Sequence, residues 1–524
     1  MFAVMSTPPD HLTSMIRALH DPRAYPHPVD RVEHRETHIS HVLLAGEFAY
    51  KIKKPLDLGF LDFSTPERRA HYCAEEIRLN GRLAPGIYVD VVTVNGTPEH
   101  PRISGGGPVI EHAVRMRRFD DSRRLDLELA RGAVDAATVR ELAIRIADFH
   151  EHGAASDPPE DCGTPHAVIA PMRENFAQLR DAGDVVDDRA ALDWLSAWTD
   201  DHGRALEGTL RRRLEQGRVR ECHGDLHLGN IVRHEGGIEV FDGIEFNRQL
   251  RWIDVASDLA FLLMDLDRLD APQLAGHALD AWLAHTGDYE ALAVLRFYLV
   301  YRALVRAKIH AIRALQADDS ALRDETRSSA RAHLALAARY ARSYAPALIL
   351  TRGVAGTGKS SAASRLVERI GAVRLRSDVE RLRLYPDAPP AVRYSEAASD
   401  AVHARLEALA AAALACGWPV VVDATFIERR RRAPFLALAE RLRIPARILD
   451  LRVSPEVRNA RIRARAASGH DASEANTAVA AAQDAAVEPL DIRESRIALV
   501  VDNDGDAPVV PPTELAHARG VVAS

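Results

Sequence analysis

A glycine-rich segment in the last third of the chain restricts the possible folds more than any other feature. The run ALILTRGVAGTGKSSAASRLVERI combines an apolar strand, a loop of the form G-x-x-x-x-G-K-[ST] and a helix. This order is the signature of a P-loop, whose backbone surrounds phosphate groups. The residues predicted to bind nucleotide are Gly353, Val354, Ala355, Gly356, Thr357, Gly358, Lys359 and Ser360.

The residue types of this loop suit a bound nucleotide. Glycines allow backbone N–H groups to turn towards phosphate oxygens, and the amino end of the following helix adds a positive dipole. We expect Lys359 to reach the β- and γ-phosphates and the Ser360 hydroxyl to ligate Mg²⁺. ATP and Mg²⁺ are therefore the predicted cofactors.

Short apolar runs recur along the chain after residue 345. They read ALILTRG, AVRLRS, PVVVDAT, ARILDLRV and RIALVVDND, and segments of helical character separate them. Nearly continuous apolar strands that alternate with helices predict a parallel sheet with helices on both faces, the α/β class. We therefore expect a P-loop kinase or NTPase domain over residues 345–524.

Two aspartates follow strands of this predicted sheet. Asp378 comes after AVRLRS, and Asp423 ends the strand of PVVVDAT. Because ligands of open α/β sheets collect at the carboxyl ends of strands, both are candidate site residues. We expect Asp378 to accept the proton of an acceptor hydroxyl and Asp423 to hold or orient Mg²⁺. The alternative is that either aspartate caps the next helix.

Three arginines, Arg458, Arg461 and Arg465, are spaced so that they share one face of a helix. An arginine-rich lid over a transferring phosphoryl group has this pattern, which makes Arg461 and Arg465 predicted nucleotide-binding residues. A solvated basic face has the same spacing. The sequence leaves both interpretations open.

Residues 347–505 resemble the small P-loop kinases of the gluconate-kinase, polynucleotide-kinase and zeta-toxin type, a group similar to AAA-family ATPases. The resemblance rests on GVAGTGKS, RSD, VVVDAT, RNARIRAR and GHDASEAN. It implies transfer of a phosphoryl group to a hydroxyl. Because those relatives act on sugars, polynucleotide ends and nucleotide-sugars, the acceptor stays open.

The chain before residue 345 has a different pattern. Alternating apolar and polar residues from Thr37 to Pro55 predict a hairpin that turns around Gly46, and a helix and two further strands follow before Phe119. Helical periodicity then dominates. We expect an α+β arrangement, with an N-terminal extension over 1–34, a sheet-rich lobe over about 35–119 and a helical lobe over about 120–344.

A second group of candidate residues lies in the segment VRECHGDLHLGNIVRHEGGIEVFDGIEF. Asp225 is followed after four residues by Asn230, and an apparent hairpin turned at Gly236-Gly237 leads to Asp242. Protein kinases use H-x-D-x-x-x-x-N at this spacing, where the aspartate accepts the substrate proton and the asparagine binds Mg²⁺. We expect Asp225 to be catalytic, Asn230 and Asp242 to be metal ligands, and His223 to support the loop.

These residues resemble the aminoglycoside phosphotransferase family, which has a bilobal fold like that of protein kinases. The similarity covers residues 35–340 and includes Asp254-Val-Ala-Ser-Asp258-Leu-Ala, which matches the family's D-x-x-x-D-L-A segment. The resemblance implies that both aspartates brace the catalytic loop. The whole chain is then similar to a fusion of such a phosphotransferase with a P-loop kinase.

The sheet-rich lobe contains matching candidates. Lys51 resembles the family's lysine that contacts the α- and β-phosphates, although Lys53 lies on the same strand face. Glu76 is the expected ion-pair partner, with Glu75 as the alternative, and surface charges are the competing interpretation. The stretch Glu111-His112-Ala113-Val114 is the expected hinge for adenine. No G-x-G-x-x-G precedes the lysine, which favours the antibiotic-modifying phosphotransferases over protein kinases.

Composition narrows the classes of function. The chain has 68 Lys and Arg against 75 Asp and Glu, a net charge of −7, which argues against general binding to nucleic acid. Four scattered cysteines indicate reduced thiols, and no segment has the pattern of a signal peptide or a membrane helix. The 23 histidines show no metal-binding spacing. We expect a cytoplasmic protein.

Together these patterns predict two modules that transfer the γ-phosphoryl group of ATP to hydroxyls of small molecules. A nucleotide-sensing protein with one non-catalytic module and a polynucleotide-end kinase are the alternatives. Arg302, Arg306 and Lys308, on a long predicted helix, are interpreted as a solvated or charge-paired face, with the acceptor pocket as the alternative.

Overall fold

The computed structural model describes residues 10–59, 61–342, 345–468 and 477–505. Residues 469–476, which carry GHDASEAN, and the side chain of Arg465 lie outside the described part. The chain forms two compact units. Unit 1 comprises Met1–Asp135, Asp148–Asp265 and Tyr301–Ala330, and unit 2 comprises Ala136–Ala147, Leu266–Val300 and Arg331–Ser524. Within the described ranges, every helix is too short or too polar to cross a membrane.

Ten strands and eleven helices precede residue 342 in the described ranges. The strands are β1 (Val32–Glu36), β2 (Ser40–Ala45), β3 (Phe48–Lys53), β4 (Tyr88–Thr97), β5 (His100–Ile103), β6 (Val109–Arg117), β7 (Val219–Glu221), β8 (Ile231–His234), β9 (Gly237–Val240) and β10 (Trp252–Asp254). The α-helices are α1 (Asp10–Ala18), α2 (Pro66–Asn80), α3 (Leu125–Ala130), α4 (Ala136–Asp148), α5 (Pro165–Asp181), α6 (Arg189–Glu215), α7 (Arg248–Arg251), α8 (Val255–Arg268), α9 (Pro272–Thr286), α10 (Ala291–Gln316) and α11 (Ser320–Ala341).

The first six strands form an antiparallel sheet in unit 1, in the order β1-β2-β3-β6-β4-β5. The predicted hairpin is present as β2 and β3, joined at Gly46 and Glu47. Gly46 has a φ of +59°, and a Cβ there would lie 2.9 Å from the Pro28 carbonyl oxygen. The turn therefore requires glycine.

Residues of β2 and β3 point alternately into two hydrophobic clusters, as a pleated sheet requires. Leu43 and Tyr50 belong to a cluster with residues of α1, whereas Leu44 and Ala49 belong to a cluster with Cys73 of α2. Helix α1 thus packs with the sheet of unit 1. The alternation also directs the side chain of Lys51 to the same face as Ala49, towards α2.

The prediction that residues 111–114 form a hinge is wrong. All four lie within β6, where they pair in register with residues 91–94 of β4, and Val114 also pairs with Lys51 of β3. Ala113 and Val114 are fully buried. Because a hinge that binds adenine needs accessible backbone groups, these four residues do not provide one.

A short hairpin, β8 and β9, separates Asn230 from Asp242, as predicted. Its tip is formed by Glu235 and Gly236, with φ angles of +49° and +84°. Gly237 already pairs with His234, so the turn lies one residue earlier than predicted. Positive φ at both central residues is the requirement of a type I′ turn, which matches the twist of the strands it joins.

Unit 2 contains a second sheet, built from the end of the chain. Its elements are β11 (Leu348–Arg352), α12 (Lys359–Ile370), β12 (Val373–Arg376), α13 (Ser377–Leu384), α14 (Pro390–Arg393), α15 (Glu396–Ala415), β13 (Val420–Asp423), α16 (Arg429–Leu442), β14 (Ala446–Arg452), α17 (Pro455–Ser468), α18 (Thr477–Ala485), α19 (Ile492–Ile497) and β15 (Ala498–Asp502). The five strands run parallel in the order β12-β13-β11-β14-β15.

Strand β11 is the centre of this sheet and carries the P-loop at its carboxyl end. Leu348, Ile349 and Leu350 are fully buried, and Ile349 shares a hydrophobic cluster with Leu366 of α12 and Leu449 of β14. Each of the five apolar runs contains one of the strands. Both faces of the central strands are buried, which explains why these runs lack the alternation seen in β2 and β3.

Candidate active sites

Lys51 lies at the centre of a group of buried charges in unit 1. Its Nζ donates to Glu76 Oε1 at 2.8 Å and to Asp242 Oδ1 at 2.5 Å. Burial acts to lower the pKa of Lys51, but the Asp242 and Glu76 carboxylates outweigh burial and raise the pKa well above its ordinary value. Lys51 is therefore a fixed cation beside an aspartate that is half-exposed.

Lys53 extends this group to a residue that the sequence analysis missed. Its Nζ donates to Glu76 Oε2 at 2.6 Å and to Glu245, and its side chain is fully buried. Burial opposes ionisation of Glu76, yet the two lysines hold the pKa of this carboxyl at about 2. Two buried ammonium groups on one strand face need more than one carboxylate as partners. From this requirement a second acid, here Glu245, was predictable.

The structure distinguishes between the two candidate glutamates of α2. Glu76 is completely buried against the lysines, whereas Glu75 accepts from Arg78 Nη2 at 2.8 Å. The charges on β3 and α2 are therefore not a surface arrangement. This excludes the competing interpretation for Lys51 and Glu76.

Asp225 and Asn230 lie together in the loop between β7 and β8. The amide Nδ2 of Asn230 donates to the Asp225 carbonyl oxygen at 3.0 Å and to its Oδ2 at 3.2 Å. His227 Nε2 is 3.5 Å from the same Oδ2. Burial acts to raise the pKa of Asp225, but the charge and hydrogen bond of His227 and the charge of Arg306 hold it below its ordinary value.

Asp258 holds the start of this loop in place. It is fully buried and accepts from the backbone N–H groups of His223 at 3.1 Å and Gly224 at 2.9 Å. His150 Nε2 lies 3.2 Å from its Oδ2. Burial lowers the pKa of His223, whose Nε2 is 2.9 Å from the carbonyl oxygen of Phe241. This histidine connects the loop to the strand that leads to Asp242.

Two arginines support the same loop from helices. Arg213 of α6 forms a bidentate pair with Asp254, with distances of 2.7 and 2.9 Å, and both side chains are buried. Arg302 of α10 donates to the Gly224 carbonyl oxygen at 3.2 Å and to that of Ser257 at 3.0 Å. Arg302 is only 4% exposed, so the prediction of a solvated or charge-paired face is wrong for this residue.

The backbone at Asp242 is in the left-handed region, with a φ of +61°. Its N–H donates to the Tyr88 hydroxyl at 3.1 Å, and the next N–H, of Gly243, donates to Asn80 Oδ1 at 2.6 Å. Such a conformation costs about 1 kcal/mol or more for a residue with a Cβ, and it persists where surrounding contacts enforce it. Here the contacts direct the Asp242 carboxylate towards Lys51.

The donor set of unit 1 fits a magnesium-bound nucleotide. Asp242 offers a half-exposed carboxylate, and Asn230 donates through Nδ2, so its amide oxygen is the atom left to act as a ligand. Magnesium prefers such oxygen ligands. Lys51 contributes the positive charge that phosphate oxygens require.

The P-loop of unit 2 has the expected backbone. Gly353, Gly356 and Gly358 have φ angles of +148°, +84° and +86°, and α12 begins at Lys359. A Cβ on Gly356 would lie 2.9 Å from Arg458 Cγ. The amino end of α12 therefore meets a loop that only glycines can form, which is the arrangement that binds phosphate.

Two side chains that the sequence analysis did not identify contact the P-loop. Gln483 Oε1 of α18 accepts from the Ala355 N–H at 2.7 Å, and Asn503 Nδ2 donates to the Thr357 carbonyl oxygen at 2.7 Å. Lys359 Nζ donates to the Val354 carbonyl oxygen at 2.8 Å. The amide oxygen of the glutamine thus binds an N–H group of the loop. Neither side chain belongs to a motif, so no local signal identified them.

Asp378 and Asp423 both lie near carboxyl ends of strands. Asp423 ends β13, which runs beside β11, and is 5% exposed. Asp378 is the second residue of α13, and Ser377 alone separates it from the end of β12. The alternative of helix capping is not realised, because the cap position of α13 is Arg376 and that of α16 is Glu428.

The predicted arginine lid is partly described. Arg458 pairs with Asp484 of α18 and is largely buried. Arg461 Nη2 donates to the Gly505 carbonyl oxygen at 2.9 Å, and its Nη1 would lie 3.7 Å from a Cβ on Gly358. Both arginines of the described part thus lie beside P-loop glycines, and their role as a lid stays a prediction.

Two groups among the described residues could hold a metal ion, although the sequence showed no such spacing. The first comprises His34, Glu36 and His41, on the hairpin of β1 and β2, where His34 Nε2 lies 3.0 Å from His41 Nδ1. The second comprises His150, Cys222 and Asp258 and is completely buried. Pairing across strands brings the first group together, which explains why a search along the chain missed it.

Comparison with known proteins provides independent information. Residues 61–298 match the phosphotransferase enzyme family, and residues 348–490 match an AAA domain family. Protein Rv2004c of Mycobacterium tuberculosis, described as uncharacterized, is 31% identical over 464 residues, which cover 87% of this chain and 90% of the relative. Protein Mb2027c of Mycobacterium bovis, also described as uncharacterized, gives the same values.

Solved structures also resemble portions of this chain. Choline kinase from Cryptosporidium parvum Iowa II is 11% identical, with a TM-score of 0.40 over 61% of this chain and 94% of that chain. A gluconokinase from Sinorhizobium meliloti 1021 is 23% identical, with a TM-score of 0.24 over 34% of this chain and 91% of that chain. The two family matches and the two sheets together confirm the predicted fold class.

Proposed function

The chain belongs to the family of these mycobacterial proteins, and it combines an aminoglycoside phosphotransferase-type domain with a P-loop kinase-type domain. We propose that it is a bifunctional phosphotransferase. Family membership indicates kinase activity. The finer proposal is that each module transfers the γ-phosphoryl group of ATP to a hydroxyl of a small molecule. We also propose that the module boundary lies near residue 345.

In unit 1, Asp225 orients the acceptor hydroxyl and accepts its proton. Like any accessible aspartate, Asp225 is a carboxylate at neutral pH, and Asn230 fixes that carboxylate through Oδ2. Lys51 positions the nucleotide phosphates, and Glu76 holds Lys51 in turn. Asp242 and Asn230 are the residues that would hold Mg²⁺, which supplies neutralising charge to the phosphates when bound.

In unit 2, the P-loop glycines and Lys359 hold the phosphates, and the Ser360 hydroxyl and Asp423 lie at the metal side. Asp378, after β12, takes the proton of the acceptor. Arg461 and Arg465 are proposed to close over the phosphoryl group, and the contact of Arg461 beside Gly358 supports that role.

The single observation that carries the proposal is the convergence of Lys51, Glu76 and Asp242 on one ion-pair group. These residues come from three separate segments of the chain. A purely structural ion pair does not require a half-exposed aspartate beside a buried lysine. A site that binds phosphate and metal does require an accessible carboxylate next to a fixed cation.

The test measures ATP consumption and product formation by the full-length protein across a panel of sugars, amino alcohols and nucleosides. We expect Asp225→Asn and Lys359→Ala each to abolish turnover of a different acceptor, while the double variant is inactive. Glu75→Gln, next to Glu76 but outside the lysine pair, is the control. If Asp225→Asn and Lys359→Ala leave every acceptor-dependent turnover unchanged, the proposal is wrong.

A second candidate function is favoured by the contact between Gln483 and the P-loop. A side-chain oxygen that binds a P-loop N–H group competes with a phosphate oxygen for that donor. Unit 2 could then sense nucleotide without transferring phosphate. ATP binding to the P-loop, together with full turnover in Lys359→Ala for every acceptor, would support this function and contradict a second kinase.

A further inference from the structure

Helix α10 passes over the catalytic loop of unit 1 with three arginines on one face. Arg302, Arg306 and Arg313 lie within about 40° of one another around the helix, given about 100° per residue. The hydrogen bond from Arg302 to the Gly224 carbonyl oxygen, at 3.2 Å, fixes this face against the residue that precedes Asp225. Arg306 and Arg313 therefore lie about one and about three turns beyond Arg302 on the same face of α10.

The Arg306 side chain has a hydrogen-bond donor that no described residue binds. Its Nε is buried and has no hydrogen-bond partner among the described residues. Native proteins pair nearly all buried donors, so this unpaired Nε, on a side chain that is itself partly exposed, is available to an external acceptor. Arg302 differs in that its Nε and Nη1 are bound to backbone carbonyl oxygens, although its buried Nη2 also has no partner among the described residues.

His227 of the loop and Arg306 of α10 are cations whose charge reaches the Asp225 carboxylate. Arg306 acts in turn on Arg313, and together with burial it lowers the pKa of that guanidinium, while Asp225 opposes the shift. His38 experiences the positive charge of Arg313 as well. Arg306 and Arg313 are therefore two guanidinium groups of α10 that are electrostatically coupled to Asp225.

We infer that the phosphoryl acceptor of unit 1 is an anionic alcohol, a hydroxyl compound with a carboxylate or phosphate that Arg306 binds, with Arg313 contributing positive charge. The inference rests on the proposed function of Asp225. A guanidinium matches a carboxylate or phosphate by two parallel hydrogen bonds, which explains arginine rather than lysine at this position. The same cluster repels amines and quaternary ammonium groups.

Lys308 provides a matched control on the same helix. It lies about 120° away from Arg302 around α10. Burial acts to lower the pKa of Lys308, and its electrostatic neighbour is Glu174 rather than Asp225. Its replacement removes one positive charge from α10 and leaves the arginine face intact.

The experiment compares four acceptors on a common carbon skeleton: glucose, glucosamine, gluconate and glucose 6-phosphate. Initial rates are measured with the full-length Lys359→Ala protein, so that unit 2 does not contribute, and products are identified by mass spectrometry. We expect turnover that depends on Asp225 to favour gluconate or glucose 6-phosphate. Arg306→Gln should lower kcat/KM for the anion about ten- to hundredfold, mainly through KM, because a charge-assisted hydrogen bond is lost.

Each outcome has a separate meaning. Lys308→Gln should leave the preference for the anion unchanged. A preference for glucose or glucosamine, or an equal loss for all acceptors in Arg306→Gln, would overturn the inference while the phosphotransferase proposal stands. If none of the four acceptors supports turnover that depends on Asp225 while an amino alcohol or a nucleoside does, the inference is overturned and the proposed function of unit 1 stands. Absence of Asp225-dependent turnover with every acceptor of the wider panel contradicts both.

Discussion

Replacement of Glu76 by glutamine should destabilise unit 1 strongly, because this carboxylate is shared by two buried lysines. Glu76 Oε1 accepts from Lys51 at 2.8 Å, and Oε2 accepts from Lys53 at 2.6 Å. A glutamine keeps the shape but presents one amide nitrogen to an ammonium group. One lysine ammonium group then lies beside the amide NH₂, which is a donor like itself, and loses the negative charge that compensated it.

The size of the effect follows from the acid strength of Glu76. Its pKa falls from 4.5 to about 2 in the folded protein. A difference of about 2.5 corresponds to about 3 kcal/mol at neutral pH, at about 1.36 kcal/mol for each unit. Removal of one partner of a buried ion pair costs about 3–5 kcal/mol in general, so the two arguments agree.

The pH dependence has a definite sign. Because the folded pKa is lower than the unfolded one, the stabilisation is fully present above about pH 4.5 and is lost as the pH falls towards 2. The difference in free energy of unfolding between the wild type and Glu76→Gln should therefore be largest at neutral pH. It should shrink progressively below pH 4.5.

The assay is urea unfolding of the full-length protein, followed by pulsed hydrogen exchange in peptides from β3 and α2. Those peptides report on unit 1 alone. The control is Glu75→Gln, whose Arg78 partner is about half exposed, so its cost should stay below about 1 kcal/mol. Equal midpoints for wild type and Glu76→Gln, or equal losses for the two variants, would refute the argument.

Three further predictions follow from individual contacts. In Gly224→Ala, the new Cβ would lie 2.7 Å from the Leu250 carbonyl oxygen, at a residue whose φ is +85°. Because this contact displaces the loop, we expect kcat, measured by ADP release, to fall about a hundredfold. Arg213→Met leaves Asp254 buried without its bidentate partner and should lower the free energy of unfolding by about 3–5 kcal/mol in urea. Gln483→Ala frees the Ala355 N–H of the P-loop, which the glutamine side chain binds. Calorimetry should then show tighter binding of ATP to unit 2. An unchanged affinity would contradict competition between the Gln483 side chain and a phosphate oxygen for this N–H.

Much of the fold could be predicted because its signals are local. The strand, loop and helix around Gly353 lie within one continuous segment, and the five apolar runs correspond to the five parallel strands. The spacing from Asp225 to Asn230 is also local, since one loop holds both residues. In such cases the chain itself brings the residues within reach of each other.

Other features depend on pairings between distant segments. Lys53 finds Glu245 almost two hundred positions later in the chain, and periodicity cannot identify that partner. The hinge prediction failed because register, rather than sequence pattern, decides which part of β6 pairs with β4. Arg302 carries the same charge as a surface arginine, and only packing against the loop shows that it is buried.

The sequence by itself determined the P-loop, the fold class and the loop from Asp225 to Asn230, because backbone geometry and short-range spacing specify them. Only the tertiary structure decided which acids hold Lys51 and Lys53, and which arginine of α10 binds the loop that carries Asp225. Those outcomes depend on burial, which results from packing of the whole unit. Packing selects the partners of each charged side chain and excludes water from it, and both effects determine what that charge can do.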